Sequence, residues 1–177
     1  MKYNCDSEQA INAAKQIKLL LLDVDGILTD GRLYFSNSGE ESKAFHSLDG
    51  HGIKMLASTG IAVGIITGRT SRLLEKRAAD LGIELLYQGR EDKLNALNEI
   101  IELTQLKASQ ICYAGDDLPD LPVLRAVGLS FSVAQAHADV RSEVHAVTES
   151  EGGLGAVREI TDFLLKSQAK YDAFLGN

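Results

Sequence analysis

An α/β fold, a Rossmann-like doubly wound parallel sheet in one domain spanning 1–177, is what the sequence predicts, and three observations predict it. Apolar runs of strand length alternate with amphipathic stretches of helical spacing along the chain. The runs at 17–22 and 61–66 are apolar almost throughout, as strands covered on both faces are, rather than alternating as a half-exposed strand would. Both end in loop-forming groups, Asp23-Val24-Asp25-Gly26 and Thr67-Gly68-Arg69.

Taken in order, residues 1–16 are mostly polar and read as a short surface lead-in helix. The first strand, 17–22, is interrupted only by Lys18. The turn-rich Ser36-Asn37-Ser38-Gly39, between 32–35 and 41–45, predicts a β-hairpin that projects after that strand. Helical spacing over 49–58 stops near Gly60, and 61–66 forms the second strand. A helix over 71–81 is closed by Gly82. A third strand at 84–87, a long amphipathic helix at 92–106, a fourth strand at 110–114 and a helix at 121–126 follow. Short strands at 129–133 and 145–147 precede a last helix at 155–170. No repeat, low-complexity stretch or linker divides the chain.

With 177 residues, 45% of them hydrophobic, the chain can bury a sizeable core. Its 25 acidic against 18 basic residues give a formal charge of −7. A broad nucleic-acid face, which needs clustered cations, is therefore not expected. No apolar run reaches the roughly 18–20 residues of a membrane helix, and the N-terminus lacks a basic region followed by an apolar one. Cys5 and Cys112 have no metal-ligand spacing, which suggests a reducing compartment, no zinc site and a cytoplasmic protein. Any anionic substrate must be held by a local group of Lys and Arg.

Ligands of open α/β sheets sit beyond the carboxyl ends of the strands. Four loops occupy that edge, beginning Asp23-Val24-Asp25, Thr67-Gly68-Arg69, Gln88-Gly89-Arg90 and Gly115-Asp116-Asp117. Asp23 and Asp25, two positions apart at a strand end, can both face the crevice. Two close carboxylates are costly unless a cation offsets them or one keeps a proton. Asp116 and Asp117 can bring further carboxylates to the same place, and oxygen-only ligation suits a hard cation such as Mg²⁺. Either acidic pair alone could simply cap a helix; both together at neighbouring strand ends point to a site. The Thr67 hydroxyl and the freed backbone N–H groups beside it can bind a phosphoryl oxygen. Lys93, at the start of the next helix, supplies an ammonium to balance carboxylates and phosphate.

Asp23-Val24-Asp25-Gly26, Thr67, Lys93 and Gly115-Asp116-Asp117-Leu118-Pro119-Asp120 match, in order, the four motifs of the haloacid dehalogenase superfamily, which the chain resembles over about residues 17–135. The resemblance implies that Asp23 is a nucleophile forming an aspartyl-phosphate and that Asp25 is the general acid and base. It implies Mg²⁺ held by Asp23, the Asp25 backbone carbonyl and Asp116, with Thr67 and Lys93 on the phosphoryl oxygens. Asp117 and Asp120 would orient metal-bound water or the loop. A carboxylate at position 25 favours phosphatase over dehalogenase chemistry.

The stretches between Asp25 and Thr67 and between Thr67 and Lys93 are too short for the inserted cap domain of larger members, so the chain looks capless. Phe45-His46-Ser47-Leu48-Asp49-Gly50-His51-Gly52, Ile66-Thr67-Gly68-Arg69 and Glu151-Gly152-Gly153-Leu154-Gly155-Ala156-Val157-Arg158-Glu159 resemble the capless members that act on an eight-carbon acid-sugar phosphate of the lipopolysaccharide pathway. That resemblance implies a homotetramer in which neighbouring subunits cover the site and the hairpin helps build the interface. It also implies substrate contacts at Asp25, His46, Ser47, Leu48, Asp49, Gly50, Lys54, Arg69, Arg77 and Lys93. The C-terminal Phe174-Leu175-Gly176-Asn177 can reach a neighbouring site in such members. Arg77 has a plainer alternative, pairing with Glu75 or Asp80 on its own helix. The glycines at 152, 153 and 155 read as an anion site or, more simply, as a loop before a helix. A nine-carbon acid-sugar phosphate is the alternative substrate. A receiver-type signalling domain shares the acidic pocket, Thr and Lys, but carries its phosphoacceptor after the third strand, where Gln88-Gly89-Arg90 has no acid.

Overall fold

A computed structural model describes residues 1–176; Asn177, the end of the tail named above, lies outside the described residues. In chain order the elements are β1 (Lys2–Tyr3), α1 (Ser7–Ala14), β2 (Leu19–Leu22), β3 (Tyr34–Phe35), β4 (Glu41–Ser42), α2 (Ser47–Ser58), β5 (Ala62–Ile66) and α3 (Arg72–Leu81). They continue with β6 (Leu85–Tyr87), α4 (Lys93–Thr104), β7 (Ile111–Ala114), α5 (Leu121–Ala126), β8 (Leu129–Ser132), α6 (Ala138–Glu143), β9 (Ala146–Val147) and α7 (Ala156–Ser167).

The four leucines of β2 explain why this strand sits at the middle of the sheet. Leu20 and Leu22 join a core with residues of α1, α2, α3 and α7, whereas Leu19 and Leu21 join a second core with α4, α5 and α6. Successive side chains of a strand point to opposite faces, so an unbroken leucine run is what two covering helix layers require. Each fully buried leucine contributes about 1.5–3 kcal/mol of transfer free energy. The seven-stranded sheet has the order β1-β9-β8-β7-β2-β5-β6. β2 pairs in parallel with β5 through Leu20 and Val63, and with β7 through Leu20 and Cys112.

The chain runs outward from β2 to β5 and β6, then returns to β7 on the other side of β2. That reversal opens a crevice at the carboxyl ends of β2 and β7, where a doubly wound sheet takes its ligand. Between β2 and β5 stand only the β3–β4 hairpin and α2, and between β5 and α4 only α3 and β6, so no cap domain is inserted among the described residues. No helix is long and apolar enough to cross a membrane.

Two elements depart from the expectation. The sheet is not wholly parallel, because Lys2–Tyr3 pairs antiparallel with Ala146–Val147 at its edge. The lead-in is therefore a strand and then a helix, and Asn4 Nδ2 ties it down by donating to the Val144 carbonyl at 2.9 Å. The helix Ala138–Glu143 lies in the stretch between the last two strands, where the sequence predicts no element. It is one and a half turns long and buries only Val140. Gly152 and Gly153 brace the turn after β2. Gly153 N–H donates to the Ile27 carbonyl at 3.0 Å, and a Cβ on Gly152 would lie 1.7 Å from the Gly26 carbonyl oxygen.

Leu20→Ala is expected to lower the unfolding free energy by about 2–5 kcal/mol in denaturant titration, as a buried leucine between fixed neighbours should. A loss below about 1 kcal/mol would place Leu20 outside a packed core.

Candidate active site

Loops after β2, β5 and β7, together with the start of α4, line an open cleft of about 610 Å³. Asp23, Asp25, Thr67, Arg69, Lys93, Asp116 and Asp117 all line it, joined by Leu33 of the hairpin limb. At its floor the Lys93 ammonium, buried, donates to Asp23 Oδ1 at 2.7 Å and to Asp120 Oδ1 at 2.6 Å. Tyr113, inside β7, donates to the same Asp120 oxygen at 2.6 Å. The other oxygen, Asp120 Oδ2, accepts the backbone N–H groups of Asp116 at 3.0 Å and Asp117 at 3.2 Å. Both oxygens of Asp120 are thus occupied in fixing Lys93 and the acidic loop. Asp117 accepts from Leu118 N and caps a short 3₁₀ turn, Leu118–Asp120.

The electrostatics follow from crowding. Burial raises Asp116 from 3.8 to about 8, aided by the charges of Asp23 and Asp120. Burial also raises Asp23 to about 6, opposed by Lys93 and reinforced by Asp120. Burial works against the charge on Lys93, but Asp23 and Asp120 outweigh it and its pKa lies above the ordinary value.

Oxygens of Asp23, Asp116 and Asp120 lie within 4.8 Å of one another, and among them stands one ammonium. This all-oxygen, over-acidic set fits a hard divalent cation. Since Asp120 is already committed, Asp23 and Asp116 are the side chains that can ligate. Asp25 does not belong to this carboxylate cluster. Its Oδ1 accepts from Lys43 Nζ at 2.5 Å, and its Oδ2 faces Arg69 Nε at 3.5 Å. Gly26 makes room for the acidic loop: its φ is 99°, and a Cβ there would stand 2.1 Å from Asp116 Oδ2. At β5, Thr67 Oγ1 accepts from Arg69 N at 3.3 Å, which orients the hydroxyl at the cleft wall.

His46, Ser47, Leu48, Asp49, Gly50, Lys54 and Arg77, expected as substrate contacts, do not line this cleft. They gather around the first turns of α2. His46 caps that helix through Nδ1, and Arg77 NH2 donates to the His46 carbonyl at 3.4 Å with its guanidinium over Phe45. Arg77 therefore does not pair with Glu75 or Asp80. Asp49 has a structural partner of its own. Its carboxylate is buried and Oδ1 accepts from Arg158 N at 2.8 Å, so it caps α7 instead of facing the cleft. Its position in the first turn of α2 gave no hint of that partner, 109 residues away. Sequence reading also passed over Lys43, Glu41 and Tyr113. Lys43 and Glu41 stand in a wholly polar run, Glu41-Ser42-Lys43, and Tyr113 in an apolar strand, so no local signal sets them apart.

Residues 86–160 match a family described as haloacid dehalogenase-like hydrolase. The chain is 47% identical over 174 residues to the 3-deoxy-D-manno-octulosonate 8-phosphate phosphatase KdsC of Yersinia pestis, across 98% of this chain and 93% of that one. It superposes with a TM-score of 0.94 on a probable YrbI family phosphatase from Pseudomonas syringae, at 49% identity and over 96% and 97% of the two chains. The 3-deoxy-D-manno-octulosonate 8-phosphate phosphatase of Moraxella catarrhalis, solved with magnesium ion, phosphate ion and KDO, superposes equally well at 0.94, with 41% identity over 96% and 98%.

With Asp116 at about 8 folded and 3.8 free, the folded protein holds a proton between those values that the unfolded chain has lost. Stability of the metal-free protein should therefore fall as pH rises through that window, Asp23 adding to its lower part. Melting curves are expected to show this fall, its recovery on adding a divalent cation near pH 8, and a flatter profile for Asp116→Asn. Equal slopes in the variant and the wild type would refute the assignment.

Proposed function

Because the chain belongs to the haloacid dehalogenase-like hydrolases, and within them to the 3-deoxy-D-manno-octulosonate 8-phosphate phosphatases, we propose that it hydrolyses the phosphate ester of that eight-carbon acid sugar, with Mg²⁺ as cofactor, on the way to lipopolysaccharide. It is a phosphoric monoester hydrolase. One observation carries the mechanism: buried Asp23 at the end of β2, tied to Lys93 at 2.7 Å with Asp116 beside it.

In this reading an Asp23 oxygen attacks phosphorus. The P–O bond to the sugar breaks, and its electron pair leaves on the sugar oxygen, which takes a proton from Asp25. Water then attacks the aspartyl-phosphate and gives a proton to Asp25, and phosphate departs with Asp23 restored. Asp23, Asp116 and the Asp25 backbone carbonyl would hold Mg²⁺, whose chemistry there is to neutralise charge on the phosphoryl oxygens. Thr67 and Lys93 bind those oxygens too. Arg69, whose buried Nε lacks a hydrogen-bond partner, reaches the acid sugar.

A single open cleft cannot exclude water or select a small sugar. The patch of His46, Ser47, Leu48, Lys54 and Arg77, with Asp49 and Gly50 beneath it, serves a neighbouring subunit's cleft in a homotetramer. Leu33, Tyr34 and Phe35, exposed on the hairpin at 47%, 42% and 61%, support that packing. Two free cysteines, one of them buried, suit the cytoplasm as its place of work.

Phosphate release from a panel of sugar phosphates tests the reaction. The eight-carbon 8-phosphate should be turned over in preference to hexose phosphates and to a nine-carbon acid-sugar phosphate, and only with Mg²⁺. Asp23→Asn should lose roughly 10³-fold or more. Equal use of hexose phosphates would defeat the substrate assignment, and an active Asp23→Asn the nucleophile. Light scattering should give the mass of a tetramer, and a monomer that retains full sugar selectivity would sink the shared site.

A further inference from the structure

The proposed acid and base, Asp25, sits in a closed ring of alternating charge that the hairpin completes. Lys43 Nζ donates to Asp25 Oδ1, and Glu41 Oε1 lies 3.5 Å from Lys43 Nζ. Glu41 Oε1 also accepts from Arg69 NH2 at 2.6 Å, and Arg69 Nε returns to within 3.5 Å of Asp25 Oδ2. The Lys43 side chain is 3% exposed, and its ammonium has no ionic partners besides Asp25 and Glu41 among the described residues. A buried charge persists only where it is paired and hydrogen-bonded, so this lysine is committed to these two carboxylates. Lys43 does not line the cleft, whereas Asp25 and Arg69 do. The two oxygens of Asp25 are therefore unequal. Oδ1 is held from behind by a short charged hydrogen bond, and Oδ2 is faced only by a guanidinium nitrogen beyond bonding geometry.

We propose that Lys43 is a positioning residue for the reaction: by anchoring Asp25 Oδ1 it presents Oδ2 as the oxygen that hands its proton to the departing sugar oxygen and recovers one from water. Glu41 fixes Lys43 and Arg69 relative to each other, so the hairpin sets the aim of the acid. The inference rests on the acid and base role of Asp25 argued above. The step it governs is cleavage of the P–O(sugar) bond, in which the electron pair goes to the sugar oxygen and the Oδ2 proton follows it. A sugar alkoxide needs that proton to leave, but p-nitrophenolate is a stable anion and does not.

Leaving-group dependence separates aim from mere scaffolding. kcat/KM, which reports steps up to loss of the alcohol, is measured for the eight-carbon sugar phosphate and for p-nitrophenyl phosphate with wild type, Asp25→Asn, Lys43→Met, Lys43→Arg and Glu41→Gln. General acid catalysis is worth about 10²–10⁴-fold, so in Lys43→Met the sugar-to-aryl ratio should fall by at least about tenfold. It should fall less in Glu41→Gln and partly recover in Lys43→Arg. The ratio does not depend on how much of a preparation is folded, and Glu41→Gln carries the test if Lys43→Met cannot be purified. If Asp25→Asn loses equally on both substrates, Asp25 is not the acid and this inference goes with it. If Asp25→Asn shifts the ratio but neither Lys43→Met nor Glu41→Gln does, the role of Lys43 is overturned while that of Asp25 stands.

Discussion

A buried ammonium between two buried carboxylates organises this molecule. Lys93 reaches Asp23 at the end of β2 and Asp120 beyond β7, and so ties together the loops of the two strands that flank the crevice. Alone, each of those carboxylates would lose far more on leaving water than it could recover. The surroundings are built to satisfy them: Tyr113 and two backbone N–H groups complete Asp120, and Gly26 leaves space where any side chain would collide with Asp116. What is left unsatisfied is Asp116 and part of Asp23, and those crowded carboxylates are what suit the site to a divalent cation.

This constraint reaches back into the sheet. Lys93 can meet Asp23 only if β2 lies beside β7 and α4 begins at the same edge, which the leucine run secures by giving β2 a core on each face. The brace from Gly152 and Gly153 then holds the turn that follows Asp23. Preorganisation of this kind places charged groups before substrate arrives, and that is where such sites gain most of their electrostatic effect.

Legibility in the sequence divides along the range of the interactions. Strands β2, β5 and β7 announce themselves because burial on both faces leaves a local mark, and Asp23, Thr67 and Asp116 follow their ends, where chemistry is expected, with Lys93 at the start of α4. Lys2–Tyr3 was missed because two residues carry no periodicity and the partner strand is more than 140 residues away. Ala138–Glu143 was missed because a short helix with one buried side chain has no stripe to read. The partner of Asp49 is hidden for a related reason: the first turn of α7, which its carboxylate caps, comes beside it only in three dimensions. Lys43 and Glu41 were passed over because charges on a hairpin are usually solvated, and the burial that makes them matter belongs to the fold.

The openness of the cleft gives the hairpin its importance. In a capped relative, a separate domain could both shut out water and orient the groups around the reacting phosphate. Here no such domain is present among the described residues, and the short segment between Asp25 and α2 is what stands beside the cleft. One limb carries Leu33 to the cleft wall and exposes Tyr34 and Phe35, while the return limb sends Glu41 and Lys43 inward to the Asp25 ring. A surface that is apolar outside and ionic inside ties what happens at its tip to the carboxylate at its base. Under the proposed closure of the cleft by neighbouring subunits packing on Tyr34 and Phe35, assembly would bear on Asp25 through the ring of Lys43, Glu41 and Arg69.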